Sequence, residues 1–323
     1  MKKLLMYVAV IALLAVACTE KNEFDEQDSS APPSSRMCAS MDVLNAQLAA
    51  DPSLRARMLT IENQTESFAR NGRLNAIGEI EIPVVVNVLY RTASENISDQ
   101  QIQSQIDVLN EDYNATNSDV SKTPALFSGL VADFNIHFVL VKINRKSSTK
   151  RSWSITNDAM KKSGSGGINP TNPTENLNIW IVNKMTYQGS TILGYAQFPG
   201  GPASTDGVVI GYNFFGRTGT LSAPFNKGRT ATHEVGHWLN LYHIWGDAAC
   251  GNDLVSDTPA ANEENYGCPA YPHKSTCAGK PVEMTMNYMD YTDDACMYMF
   301  SLGQKTRSLA IFDAGGPRAS FAD

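Results

Sequence analysis

The stretch "THEVGHWLNLYHIW", Thr232 to Trp245, holds three of the chain's five histidines and one glutamate. His233 and His237 are four residues apart, so on a helix they share one face, one turn apart, and both imidazoles can reach a single ion. Glu234 follows the first of them, where a carboxylate can polarise a metal-bound water and carry its proton. Three neutral imidazoles suit zinc and leave its fourth position open. His243 breaks the helical spacing. Six residues past His237, a continuing helix would turn it about 240° and carry it about 9 Å along the axis, away from the metal. The helix must therefore end between the two and the chain must swing back. A left-handed residue does this, usually Gly and sometimes Asn, and Asn240 stands in that window.

The run "HEVGHWLNLYH" resembles the long zinc motif HExxHxxGxxH of the metzincin metallopeptidases, with Asn240 in place of the usual Gly. "MNYMDY" puts Met289 46 residues after His243 and resembles the Met-turn beneath the metal. "HIWGD", "DLVSDTPA" and "NYMDYTDDACMYMF" resemble the pappalysin family in particular, and the resemblance covers roughly residues 36–316. It implies a zinc endopeptidase acting on proteins or peptides. Glu234 would be general base and then general acid, Tyr291 would assist the oxyanion, and Met289 would floor the zinc site without ligating it. It also implies structural calcium near "CGNDLVSDTPA", with Asp253 and Thr258 matching best and Asp257 nearby. "GYAQFPG" looks like the upper-rim strand, along which an extended substrate pairs antiparallel. Related pappalysins cut next to arginine, so a basic residue just after the scissile bond is expected, with Asp293 or Asp294 as the acidic partner. "RMCAS" resembles the family's cysteine switch, although Ala39 stands where Gly is more usual. Cys38 would then hold zinc in a latent zymogen, with Arg36 paired to an acidic group of the cleft.

The elements that must position these residues are legible in outline. "SMDVLNAQLAADPSLRARMLTIENQ" has helical spacing broken at Pro52, and residues 36 to about 73 read as helical. "EIPVVVNVLY", "FNIHFVLVKIN" and "LNIWIVNK" read as strands, and "ISDQQIQSQIDVLNEDYNA" as an amphipathic helix capped by Ser98. "GYAQFPG" and "GVVIGYNFF" follow, and a Cys- and Gly-rich irregular region comes last. The expected fold is α/β (α+β): a mixed twisted sheet with backing and active-site helices, then a disulfide-stapled irregular half. His137, in a strand, and His273, in a loop, receive no function.

The first residues read as an export signal. Lys2 and Lys3 precede an apolar run too short to span a bilayer, and Ala15-Val16-Ala17-Cys18 fits either signal peptidase or a bacterial lipoprotein box acylating Cys18. The chain thus divides into a signal peptide (1–17), a disordered tether (18–35), an inhibitory pro-segment (36–73) and a catalytic domain (74–323), cut near Arg70 or Arg73. The protein would be secreted or held on a bacterial outer membrane by its lipid alone. Export permits disulfides. Cys250, Cys268, Cys277 and Cys296 lie within 47 residues, and spacing leaves three pairings open. The family resemblance implies Cys250–Cys277 with Cys268–Cys296. A formal net charge of −7 argues against a nucleic-acid partner. The competing function is a catalytically inactive, metal-binding surface adhesion protein of the same fold.

Overall fold

The computed structural model describes residue 33, residues 35–72 and residues 78–322. The expected signal peptide, the lipidation site Cys18, nearly all of the tether, and Arg73 lie outside the described residues.

The near-continuous apolar run of β1 (Ile80–Tyr90) suits a strand covered on both faces. It is an interior strand, second from one edge, of a five-stranded sheet. β1 pairs in parallel with β2 (Ile136–Ser147) on one side and with β4 (Leu177–Val182) on the other. β8 (Val208–Gly211) adds in parallel to β4, and β7 (Gly194–Ala196) closes the far edge antiparallel to β8. A small second sheet joins β3 (Trp153–Ser154), β5 (Met185–Tyr187) and β6 (Ser190–Ile192). The parallel β1–β2 pair needs a crossover, and α3 (Asp99–Tyr113) provides it. Its N-cap is Ser98, whose hydroxyl accepts from the Gln101 amide.

Helix α4 (Arg229–Trp238) carries the first two histidines and is buried throughout. Its start is fixed by charge. Arg229 ion-pairs with Asp112 (3.1 Å) of α3 and Asp119 (3.0 Å) and donates to the Tyr288 hydroxyl (2.9 Å). Its end is tied by Arg318, which stacks on Trp238, donates to the Trp238 carbonyl (3.1 Å) and pairs with Asp206 through both terminal nitrogens. After α4 the chain is mostly irregular until α5 (Leu302–Leu309). Disulfides Cys250–Cys277 and Cys268–Cys296 staple this half.

Two helices precede the sheet: α1 (Ser40–Ala50) and α2 (Ser53–Arg70), separated at Asp51–Pro52. One sequence reading needs correction. The helical pattern does not begin at residue 36. Residues 36–39 lie ahead of the helix and outside it, and Cys38 forms a parallel bridge with Gly194. Pairing with the otherwise free edge of β7 satisfies their backbone: Leu193 N donates to Met37 O (3.0 Å) and Ala39 N to Gly194 O (3.2 Å).

Candidate active site

The three imidazoles are held by three different pieces of chain. His233 Nδ1 donates to the Tyr288 carbonyl (2.7 Å), His237 Nδ1 to the Leu241 carbonyl (2.7 Å), and His243 Nδ1 to the Asp247 carboxylate (2.6 Å). Each partner only accepts, so each ring keeps its proton on Nδ1 and offers Nε2 as a bare lone pair. The Nε2 atoms converge, with His237 at 3.2 Å from His233 and 3.1 Å from His243. Tetrahedral zinc with bonds of about 2.0–2.1 Å holds its nitrogens about 3.3 Å apart, so this trio fits the metal. Burial pushes His233 and His237 well below the usual histidine range, keeping them neutral as ligands must be.

The helix ends as the spacing requires. Asn240 has φ +74°. Its amide donates to His237 O (3.0 Å) and that of Leu241 to Gly236 O (2.9 Å), a Schellman closure. The turn reverses the chain and brings His243 back. Beneath, Met289 is fully buried with its sulfur against Gly236. A Cβ at 236 would lie 2.4 Å from that sulfur, so the glycine lets the Met-turn close on the helix. Gly194 does the same on the opposite side, where a Cβ would meet Glu234 at 2.8 Å.

Cys38 completes the cluster. Its Sγ and the three histidine nitrogens all lie within 4.8 Å of one another, and a thiolate with three imidazoles is a tetrahedral zinc donor set. Cys38 Sγ also sits 3.2 Å from Glu234 Oε2. Ser40, which the sequence reading passed over, donates to the same Glu234 oxygen (2.9 Å) and accepts from the Ala196 amide (2.8 Å). Burial raises the Glu234 carboxyl to about 7, against the opposing pull of Cys38, Ser40 and Arg36. Burial, followed by the Glu234 charge, drives the Cys38 thiol well above its ordinary value. A bound dication inverts that balance and deprotonates a coordinating thiol. The Tyr291 hydroxyl donates to the Cys38 carbonyl (3.2 Å), and its ring packs against His243 and Trp245.

Of the two acidic candidates, Asp294 is the one that meets Arg36. The pair is 2.6 Å apart and almost fully buried. Arg36 also donates to Thr230 Oγ1 (3.2 Å) and lies over the Phe225 ring. Asp293 instead gives its amide to Gly267 O. In the third cluster, Thr258 Oγ1 lies 2.8–2.9 Å from both Asp253 carboxylate oxygens and 2.9 Å from the Val255 carbonyl. Asp257 turns away to Ser301 and Gly303 at the start of α5.

Asp247 was also missed from the sequence, although an acid four residues past a ligand histidine is a recognisable signal. Asp247→Ala removes the group that orients His243. Zinc binding should weaken about 10- to 100-fold, read by competition with a chromophoric chelator. Unchanged affinity would show that the carboxylate does not hold the ring.

The profile described as pregnancy-associated plasma protein-A, a peptidase family, matches residues 169–313. Extracellular metalloprotease 1 of Coccidioides posadasii (strain C735) is 31% identical over 263 residues, covering 77% of this chain and 84% of that protein. Tannerella forsythia mature mirolysin, solved with a cleaved peptide, is 44% identical with a TM-score of 0.72, over 76% of this chain and 96% of that one. A promirolysin mutant from the same organism is 40% identical with a TM-score of 0.79, over 89% of this chain and 97% of that one. With the trio of imidazoles and the two disulfides in place, the chain belongs to the pappalysin family and is an exported zinc metalloendopeptidase.

Proposed function

We propose that the protein is a latent endopeptidase whose residues 36–73 fill its own cleft, and that the freed enzyme cuts before basic residues. The supporting observation is the path of residues 36–40. Arg36 reaches Asp294, Cys38 joins the three imidazoles, and Ser40 engages Glu234 and the Ala196 amide. This segment runs parallel to β7, whereas a substrate pairs with the rim antiparallel. It therefore occupies the cleft with its chain direction reversed. The greater share of this chain that aligns with promirolysin than with mature mirolysin supports the same reading.

Once the segment leaves, β7 offers its edge to an extended peptide. Zinc bound by His233, His237 and His243 supplies Lewis acidity at the scissile carbonyl. Glu234, relieved of Ser40 and Cys38, takes a proton from the attacking water and passes it to the leaving amine. The Tyr291 hydroxyl, relieved of the Cys38 carbonyl, donates to the developing oxyanion. Met289 and Asn240 hold the floor and the turn. Asp294 receives the guanidinium of the residue after the scissile bond, as it receives Arg36.

Asp253 and Thr258, with the Val255 carbonyl, would hold calcium. One hydroxyl proton cannot serve three oxygens, and an oxygen cluster of this kind suits a hard cation. Lipidation of Cys18 is retained from the sequence as the route to a surface anchor. The inactive-adhesin alternative has no observation in its favour.

The Cys38→Ala precursor should digest a denatured protein substrate before any processing, while wild-type precursor stays silent and chelator abolishes the activity. In the same assay the cleaved Glu234→Ala protein should lose at least about 10²- to 10⁴-fold and keep one zinc by elemental analysis. Equal latency in Cys38→Ala and wild type would sink the switch. Asp294→Asn should cut the preference for Arg over Leu after the scissile bond by about tenfold or more, the cost of leaving a buried charge pair incomplete. A peptide library in which the variant keeps its basic preference would point to a different acid. Millimolar calcium should raise the thermal midpoint of the wild type and leave Asp253→Ala unmoved; equal shifts would remove calcium from this loop.

A further inference from the structure

A second charged contact lies at the other end of the pro-segment. Arg307 on α5 is almost fully buried, with 3% of its side chain exposed. Its Nε donates to the Asn240 carbonyl (2.6 Å), at the turn between the second and third histidines. Its guanidinium lies over the Tyr242 ring, 5.1 Å from the centroid. Among the described residues, only the Glu62 carboxylate of α2 pairs with its two terminal nitrogens, one to each oxygen. Around this pair α1 and α2 lay Leu44, Leu54 and Met58 against Phe198 and Tyr242, and Arg57 donates to Gly200 O (2.8 Å).

Removing α2 takes Glu62 with it and leaves Arg307 in place. Asn240 still holds Nε and Tyr242 still supports the plane, so the two terminal nitrogens point outward as a preformed fork. A planar fork of this kind matches a carboxylate in two-point geometry. Its place relative to the cleft follows from the sheet. A substrate antiparallel to β7 sends the residues before its scissile bond toward Gln197, Phe198 and Gly200. Phe198 packs on His237 (5.2 Å between rings) and on Tyr242 (5.0 Å), so the fork lies on that side, several residues upstream of the cut.

We propose that Arg307, backed by Tyr242, is a carboxylate-binding subsite of the mature enzyme that selects substrates with an acidic side chain upstream of the scissile bond, and that Glu62 fills it in the precursor. The proposal rests on the reading that residues 36–73 leave on activation. It adds to the pocket at Asp294 a second recognition point of opposite charge on the other side of the metal.

The test uses wild-type protein after self-processing, its new N-terminus established by sequencing. Peptides with Arg after the scissile bond carry Glu, or Gln in its place, at one of the third to eighth positions upstream. The expected result is a KM about tenfold lower for Glu at one position, the strength of a charge-assisted bidentate pair, with kcat within about twofold. Raising the salt from about 0.1 M to 1 M should shrink the difference. In Arg307→Gln the Glu-to-Gln ratio should fall to about one. Because that ratio is internal to each preparation, it holds even if part of the variant is misfolded. Equal cleavage of both peptides by wild type at every position overturns the subsite and leaves the latency reading standing. A ratio retained in Arg307→Gln overturns the assignment to Arg307. A mature chain that still carries Glu62 overturns both readings.

Discussion

Three bare imidazole nitrogens about 3 Å apart repel one another unless a cation lies between them, and the rest of the molecule is arranged to enforce that approach. Each ring is aimed by an acceptor from a different segment: the Met-turn carbonyl of Tyr288, the helix-end carbonyl of Leu241, and the Asp247 carboxylate. Such acceptors leave the lone pairs no choice but to face inward. The supporting frame is charged and buried. Arg229 joins α3, α4 and Tyr288, while Arg318 locks the far end of α4 through Asp206 and Trp238. Removing one partner from such a pair costs roughly 3–5 kcal/mol, so the geometry is stiff.

Latency uses the same stiffness. Within five residues the chain meets Asp294 through Arg36, the three imidazoles through Cys38, and Glu234 and the Ala196 amide through Ser40, which opens α1. The helices behind it bury Leu54, Ile61 and Phe68, an apolar stripe repeating every seven residues. The short run alone has little surface to hold it down, and the helices supply it.

Much of this was legible in the sequence because it is local. The four-residue spacing of His233 and His237, the turn at Asn240, the cap at Ser98 and the break at Pro52 are all decided within a few residues. The long apolar run of β1 reads as a strand, and the family likeness indicated the disulfide partners. What stayed hidden depends on distant chain. Nothing near residue 40 marks Ser40 as a partner of Glu234, 194 positions away. Nothing near 307 announces Glu62 or Asn240. The helical reading of residues 36–39 fails because their partner, the edge of β7, exists only once the sheet is built. Nothing beside them in the sequence marks Gly236 and Gly194 as the positions on which Met289 and Glu234 close.

The two crosslinks carry a consequence of place. Cys268–Cys296 fastens the strip of chain that bears Asp294, and Cys250–Cys277 fastens the strip that bears Asp253. Thiols stay reduced in the cytosol and couple only in oxidising compartments. Where the thiols stay reduced, Asp294 keeps only its noncovalent ties, to Arg36 and to the amides of Lys227 and Arg229, and Asp253 only those to Thr258 and Val255. The three imidazoles are aimed by hydrogen bonds that involve no cysteine, so oxidation bears on the irregular strips beside the metal site and not on the ligand trio itself.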